Sequence, residues 1–213
     1  FAIIRIRVYK LKDIEFLVNY PLIRTLEIVF PPGLSFDLTP LYSLLRLQKL
    51  TISGVAPIAL KSFPELKEFN GCWHEELHIS ECNKLEILRI TGYKSKTHDL
   101  VDFPYVTNLR ELCLIQTNFT SLKGILRLPT LKQLEIAYLN KLESLHDSEQ
   151  LPHLEVFICQ NCRKLKQHDI VRSLKRLRIL RFNDCGDIPT LSFINELPDL
   201  EEFRFVNTNI KDG

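Results

Sequence analysis

A six-residue template, apolar–x–x–apolar–x–apolar, returns along the whole 213-residue chain at steps of about 22 residues. The clearest copies are LRELCL, LKQLEI, LEVFIC, LRILRF and LEEFRF in the second half of the chain. The copies begin at Ile3, Ile23, Leu47, Leu66, Leu85, Leu109, Leu131, Leu154, Leu177 and Leu200. A fixed period of this length is typical of a repeat architecture, in which stacked units share one elongated core.

Each copy predicts a short strand followed by a return segment of different periodicity. The last two apolar positions of the template lie two residues apart, which is the period of a strand with one buried face. In the return segment, Leu122, Ile125 and Leu128 are three residues apart, and this spacing favours a 3₁₀ turn. In the irregular stretch after Leu66, the segment Leu77–Ile79 predicts an additional strand on the far side of that coil.

On these repeats the chain resembles the leucine-rich-repeat family, in the internalin-like class with short repeats, with irregular repeats in its N-terminal half. The resemblance implies an α/β solenoid shaped as a horseshoe, with a parallel sheet on the concave side and 3₁₀ or short helices on the convex side. It also implies a recognition role for the concave face. The family's usual asparagine after the strand is replaced by Thr, Cys or apolar residues, including Thr117, Leu139, Cys162, Cys185 and Thr208.

We expect one leucine-rich-repeat domain over residues 1–213, with about ten repeats. The chain contains no Met and starts at Phe1, and neither end has the polar cap that a solenoid normally requires. The sequence is therefore expected to be a fragment that lacks its caps.

Composition narrows the classes of partner and compartment. A net charge of +2 lacks the basic excess of a nucleic-acid-binding protein, and no apolar run is long enough to predict a membrane span. The six cysteines are spread along a chain that is long enough to fold without disulfides. A cytoplasmic location is predicted, and the alternative is a secreted or cell-surface protein whose export signal has been removed.

Two patterns with possible chemistry are explained more simply by structure. Cys159 and Cys162 have the spacing of half a zinc site, but a second CxxC is absent. Cys162 and Cys185 occupy equivalent positions in successive repeats, so we expect them to lie about 5 Å apart, within reach of a disulfide in an oxidising compartment.

Three His-Asp doublets begin at His98, His146 and His168, and loop polarity accounts for them. Catalysis, a metal and a cofactor are not expected.

The side chains that alternate with the core positions predict a protein-binding surface on the concave face, because apolar residues in rows are bordered there by charges. The predicted contact residues are Glu111, Ile115, Glu135, Val156, Ile158, Ile179, Arg181, Glu202 and Arg204. Phe30, Trp73 and Tyr138 follow strands and are candidate aromatic anchors. A second copy of the chain could cover the same face, which would make a homo-oligomer.

The predicted function is thus recognition of a protein partner without catalysis. One alternative is the sensing fragment of an intracellular immune receptor, because CNKL, LNKL and CRKL are similar to phrases in plant receptors of that kind. An immunity or antitoxin-like protein is a related alternative. An alternative of another class is a metal-dependent hydrolase that uses the His-Asp doublets.

Overall fold

The computed structural model describes residues 3–7, 12–29 and 37–212. The chain divides into two compact units, Phe1–Thr91 and Gly92–Gly213, called unit 1 and unit 2 below. Each consists of repeating coils of one short strand and one return segment, and each is described on its own. The prediction of a single domain stays a prediction.

The described residues of unit 1 form five strands of five residues each. They are β1 Ile3–Arg7, β2 Thr25–Val29, β3 Lys49–Ser53, β4 Glu68–Cys72 and β5 Ile87–Thr91. Each strand pairs in parallel with the next along the chain. The return segments contain 3₁₀ helices at Glu15–Asn19, Thr39–Ser43, Leu60–Ser62, Glu75–Leu77 and Ile79–Glu81.

Unit 2 repeats this arrangement more regularly. Its strands are β6 Glu111–Ile115, β7 Gln133–Ala137, β8 Val156–Gln160, β9 Ile179–Asn183 and β10 Glu202–Val206. Adjacent strands are again parallel, without shifts in register. The 3₁₀ helices are Ile125–Arg127, Ser148–Gln150, His168–Ser173 and Ser192–Glu196. Parallel strands joined by 3₁₀ segments confirm the predicted solenoid class.

Inward-facing side chains of the strands form rows in the core of unit 2. Leu112, Leu134, Phe157 and Leu180 lie side by side and are at most 1% exposed. Burying each such side chain contributes about 1.5–3 kcal/mol. In the return segment, Leu122, Ile125 and Leu128 are also buried, as the three-residue period predicts. Every helix within the described ranges is too short or too polar to cross a lipid bilayer.

Two sequence predictions in unit 1 are wrong. The register pairs Ile6 with Ile28 and Arg5 with Glu27, so the first repeat is displaced by two residues from the predicted start at Ile3. Leu77–Ile79 is not a strand, because His78 has a left-handed backbone, with φ 49°, between two 3₁₀ helices. Leu77 and Ile79 are both buried, so two successive turns produce the two-residue spacing that resembles a strand.

Candidate functional site

The exposed face of the sheet in unit 2, called the unit 2 sheet face, is set by the alternation of strand side chains. Because the register is continuous, outward residues of neighbouring strands line up in three rows. The first row is Glu111, Gln133, Val156, Ile179 and Glu202. The central row is Cys113, Glu135, Ile158, Arg181 and Arg204, and the last is Ile115, Ala137, Gln160, Asn183 and Val206.

The nine predicted contact residues therefore lie on one sheet face. Val156 and Ile179 are register partners, and Ile158 follows Val156 by two positions on the same strand. These three side chains form an apolar patch, and each is half-buried. Ile115 is also half-buried, but it lies apart from these three side chains. It is in the last row on β6, and Asn183 occupies the same row three strands away on β9.

Charged side chains border the apolar patch. Arg181 and Glu202 form a bidentate ion pair, with Nε–Oε1 at 2.7 Å and Nη2–Oε2 at 3.0 Å. Hydrogen bonding to Arg181 and the positive charges of Arg181 and Arg204 lower the pKa of Glu202. Arg204 itself is exposed. On the other side of the patch lies the carboxylate of Glu135, whose Oε1 accepts from Gln160 Nε2 at 3.4 Å. The patch therefore has charged side chains on both sides.

The alternation rule overstates the exposure of two positions on this face. Cys113 is only 4% exposed and Ala137 only 5%, so neither offers contact area. Asn183 Oδ1 has no solvent exposure and no hydrogen-bond partner in the described structure. Such an orphaned acceptor is unusual, and the sequence contains no signal that could have identified it.

Tyr138 follows β7 and has a left-handed backbone, with φ 58°, while its side chain is 49% exposed. A bulky residue in this region is strained, so Tyr138 is a half-exposed aromatic residue on a strained backbone. Trp73 lies in unit 1 and donates its backbone N–H to the Thr91 carbonyl at 2.8 Å. Phe30 lies outside the described residues.

The three His-Asp doublets have unrelated surroundings. His168 is fully buried, and neither ring nitrogen has a hydrogen-bond partner in the described structure. His98 Nδ1 lies 2.9 Å from Asn118 Nδ2. His146 lies 3.5 Å from Asp147 and 3.6 Å from Glu149, and these three form the one potential metal-binding group within the described ranges. No residue of another doublet belongs to that group.

Burial controls the protonation of His168. Desolvation lowers its pKa from an ordinary 6.5 to about 4, against the opposing charges of Asp169 and Asp187. Its ring packs edge-on against Phe182, with centroids 4.9 Å apart. The imidazole is thus a neutral core side chain at neutral pH.

Three cysteines meet in the core of unit 2, and the predicted separation of about 5 Å between Cys162 and Cys185 stays a prediction. Cys185 Sγ lies 3.4 Å from Cys159 Sγ and 3.4 Å from the Cys159 carbonyl oxygen, so its thiol contacts the thiol of the strand cysteine. Cys162 Sγ lies 3.4 Å from the Gln160 carbonyl oxygen. All three thiols are free. Burial raises the pKa of Cys159, whereas contact with the Cys159 thiol lowers that of Cys185.

Cys185 also lines an open cleft of about 1000 Å³ beside the turns that follow the strands. Lys166 pairs there with Glu143 at 3.2 Å, and Lys211 pairs with Asp187 at 3.3 Å. Further lining residues are Arg163, Lys164, Leu165, Asp184, Gly186, Pro189 and Asn207. The sequence predicts no cleft at this place.

No protein-family model matches the sequence, and no curated protein matches it significantly. Among solved structures, the chain is similar to the leucine-rich repeat domain of the type III effector XopL, with a TM-score of 0.62 and 16% identity over 95% of this chain and 75% of that one. It is similar to an internalin, inlF, from Listeria monocytogenes, with a TM-score of 0.56 and 19% identity over 93% of this chain and 65% of that one.

A third similar structure is the functional domain of InlJ from Listeria monocytogenes, which includes a cysteine ladder. The TM-score is 0.60 and the identity 16%, over 97% of this chain and 53% of that one. This chain thus spans only about half to three quarters of the lengths of these three structures. The parallel strands, the 3₁₀ return segments and these three likenesses agree: the chain has the leucine-rich-repeat fold in its internalin-like form.

Proposed function

We propose that the protein is a recognition module that binds a protein partner through the unit 2 sheet face. The observation that carries this proposal is the patch of Val156, Ile158 and Ile179, which lies in register beside the Arg181–Glu202 ion pair. Apolar side chains with a charged border are typical of protein-binding surfaces. The flanking charges supply orientation and attraction during encounter, and the patch supplies apolar contact.

A protein is a better partner for this face than a nucleic acid. Phosphate binding requires a surplus of cations, whereas Arg181 and Arg204 share this face with Glu135 and Glu202. The whole chain has a net charge of only +2. No catalytic step enters the proposal. The predicted cytoplasmic location is part of the proposal, with a secreted or cell-surface location as its alternative.

The test compares two double variants that remove the same charge from different places. Arg181→Ala with Arg204→Ala alters the unit 2 sheet face. Arg178→Ala with Lys175→Ala is the matched control, because Arg178 forms a similar bidentate pair with Glu201, at 2.8 and 2.9 Å, outside the strand. Partners captured from a native extract by the unaltered protein are identified by mass spectrometry, and the main one is purified for kinetic binding measurements.

We expect the first variant to lower the association rate by roughly tenfold at low salt and the control to leave it nearly unchanged. Ile158→Asp should also abolish binding, because it places a charge in the centre of the patch. Equal association rates for the two double variants would refute the assignment of this face. Sedimentation of the free protein shows whether the partner is a second copy of the chain.

A further inference from the structure

Two cysteines stand one behind the other at the wall of the cleft in unit 2. Cys185 lines the cleft and is 7% exposed, whereas Cys159 lies behind it with no exposure. Their sulfur atoms are 3.4 Å apart, and a disulfide bond has a length of about 2.0 Å. A modest movement of the two side chains therefore joins them, and a small molecule in the cleft reaches Cys185 first.

The cleft has a surplus of positive charge at its rim. Arg163, Lys164, Lys166 and Lys211 face three carboxylates from Glu143, Asp184 and Asp187. Lys166 and Lys211 are neutralised by the ion pairs described above. Within the described residues, Arg163 and Lys164 form no ion pair, so an anionic molecule is favoured over a cationic one.

We propose that Cys185 and Cys159 form a thiol–disulfide exchange site for small anionic disulfides, of which oxidised glutathione is the representative. The inference is independent of the proposed recognition of a protein partner, because it concerns the cleft and not the unit 2 sheet face.

The exchange proceeds in two balanced steps. The Cys185 thiolate attacks one sulfur of the small disulfide, whose S–S bond breaks; a mixed disulfide forms and the first small thiolate leaves. The Cys159 thiolate then attacks the Cys185 sulfur and releases the second. The two protons lost by the cysteines are taken up by the two leaving thiolates. The protein thiols are oxidised to one disulfide, and the small disulfide is reduced to two thiols.

The product would covalently join the strand that carries Ile158 to the turn after the strand that carries Arg181, since Cys159 belongs to β8 and Cys185 follows β9. Such a link constrains the unfolded chain and stabilises the folded one when it introduces no strain. The stability of unit 2 would therefore depend on the redox state of the compartment.

The experiment treats the reduced protein with oxidised glutathione and, in parallel, with the cationic disulfide cystamine, and follows intact mass and cysteine-linked peptides. We expect the unaltered protein to lose the mass of two hydrogens and to yield a peptide joining Cys159 to Cys185. Cys159→Ala should stop at one glutathionyl group on Cys185, and Cys185→Ala should form no disulfide at Cys159. The control Cys113→Ala should react like the unaltered protein, because Cys113 lies on another strand.

Arg163→Ala with Lys164→Ala should slow the reaction with oxidised glutathione by roughly threefold and should speed the reaction with cystamine, because the repulsion of its two ammonium groups decreases. Circular dichroism of each variant shows that it is folded. Three results would overturn the proposal: a disulfide at another cysteine pair, reaction only in urea, or equal rates for the two disulfides in all variants. None of them bears on partner binding, so the two proposals fail separately.

Discussion

Acidification should destabilise the protein through His168, because the native state disfavours its protonated form. The pKa of His168 is lowered from 6.5 to about 4 by burial, so between these values the unfolded chain binds a proton that the native chain does not. Stability from this residue is constant above pH 6.5 and falls as pH drops toward 4. The limiting slope is about 1.4 kcal/mol per pH unit, and the loss between pH 8 and pH 5.5 is about 1.4 kcal/mol.

His168→Leu isolates this contribution. Leu145, one repeat earlier, is buried with no exposure, so the fold accepts leucine at the equivalent position. The substitution also removes two buried ring nitrogens that have no partner in the described structure, so stability at pH 8 should be unchanged or higher. The pH dependence between pH 8 and 5.5 should decrease by about 1.4 kcal/mol.

Urea unfolding followed by circular dichroism at half-unit pH intervals measures both quantities. His146→Leu is the matched control, because the His146 side chain is 64% exposed and its removal should leave the slope in place. The reasoning is refuted if the His168→Leu variant retains the slope of the unaltered protein, or if the unaltered protein has none.

Three further predictions concern stability and can be measured in the same urea assay. Gly186→Ala should lower the free energy of unfolding by about 1–3 kcal/mol, because an added Cβ would lie 2.0 Å from the Leu165 carbonyl oxygen. The control is Gly54→Ala, whose Cβ meets no atom within 4 Å and which bears only the strain of φ 92°. An equal loss of stability in both variants would contradict the steric explanation. Asn118→Ala should cost about 1–3 kcal/mol, because its amide bonds both the N–H and the carbonyl of buried Ser95 at 2.9 and 2.8 Å; no loss would mean that this bridge contributes nothing. Tyr138→Asn should add about 0.5–1 kcal/mol by relieving left-handed strain, and a loss would show that contacts of the ring outweigh the strain.

The sequence predicts the coils well because one physical requirement recurs in each of them. A strand buries alternate residues, so its apolar residues are two positions apart, as in Leu112–Leu114. A 3₁₀ turn buries every third residue, so its apolar residues are three positions apart, as in Leu122–Ile125. The pattern is ambiguous only where both spacings fit, as at Leu77–Ile79. The sign that distinguishes them is the left-handed His78, which no spacing of apolar residues reveals.

The sequence predicts which residues lie on the unit 2 sheet face, but it does not predict which of their side chains form pairs. Alternation places Arg181 and Glu202 on one face, but the bidentate pair between them depends on the register of neighbouring strands. The same rule predicts an exposed Cys113, which the structure buries. The cleft beside Cys185 is built from the segments that follow four successive strands. The packing of these segments across repeats produces no period in the sequence, so the sequence does not predict the cleft.

The cysteines show how a departure from the repeat pattern connects stability with chemistry. The position after each strand must satisfy backbone groups of neighbouring coils, and Thr208 does so by accepting from the Cys185 N–H at 3.1 Å and donating to the Phe182 carbonyl at 3.3 Å. One coil earlier, Cys185 occupies that position, and its sulfur lies 3.4 Å from the corresponding Cys159 carbonyl. A thiol is a weaker hydrogen-bond donor than a hydroxyl, so this coil gives up some backbone stabilisation. The inward strand position beside Cys185 is also a cysteine, Cys159. The presence of Cys185 at a position where Thr208 stands in the next coil therefore places two oxidisable sulfurs in contact at the wall of a cationic cleft.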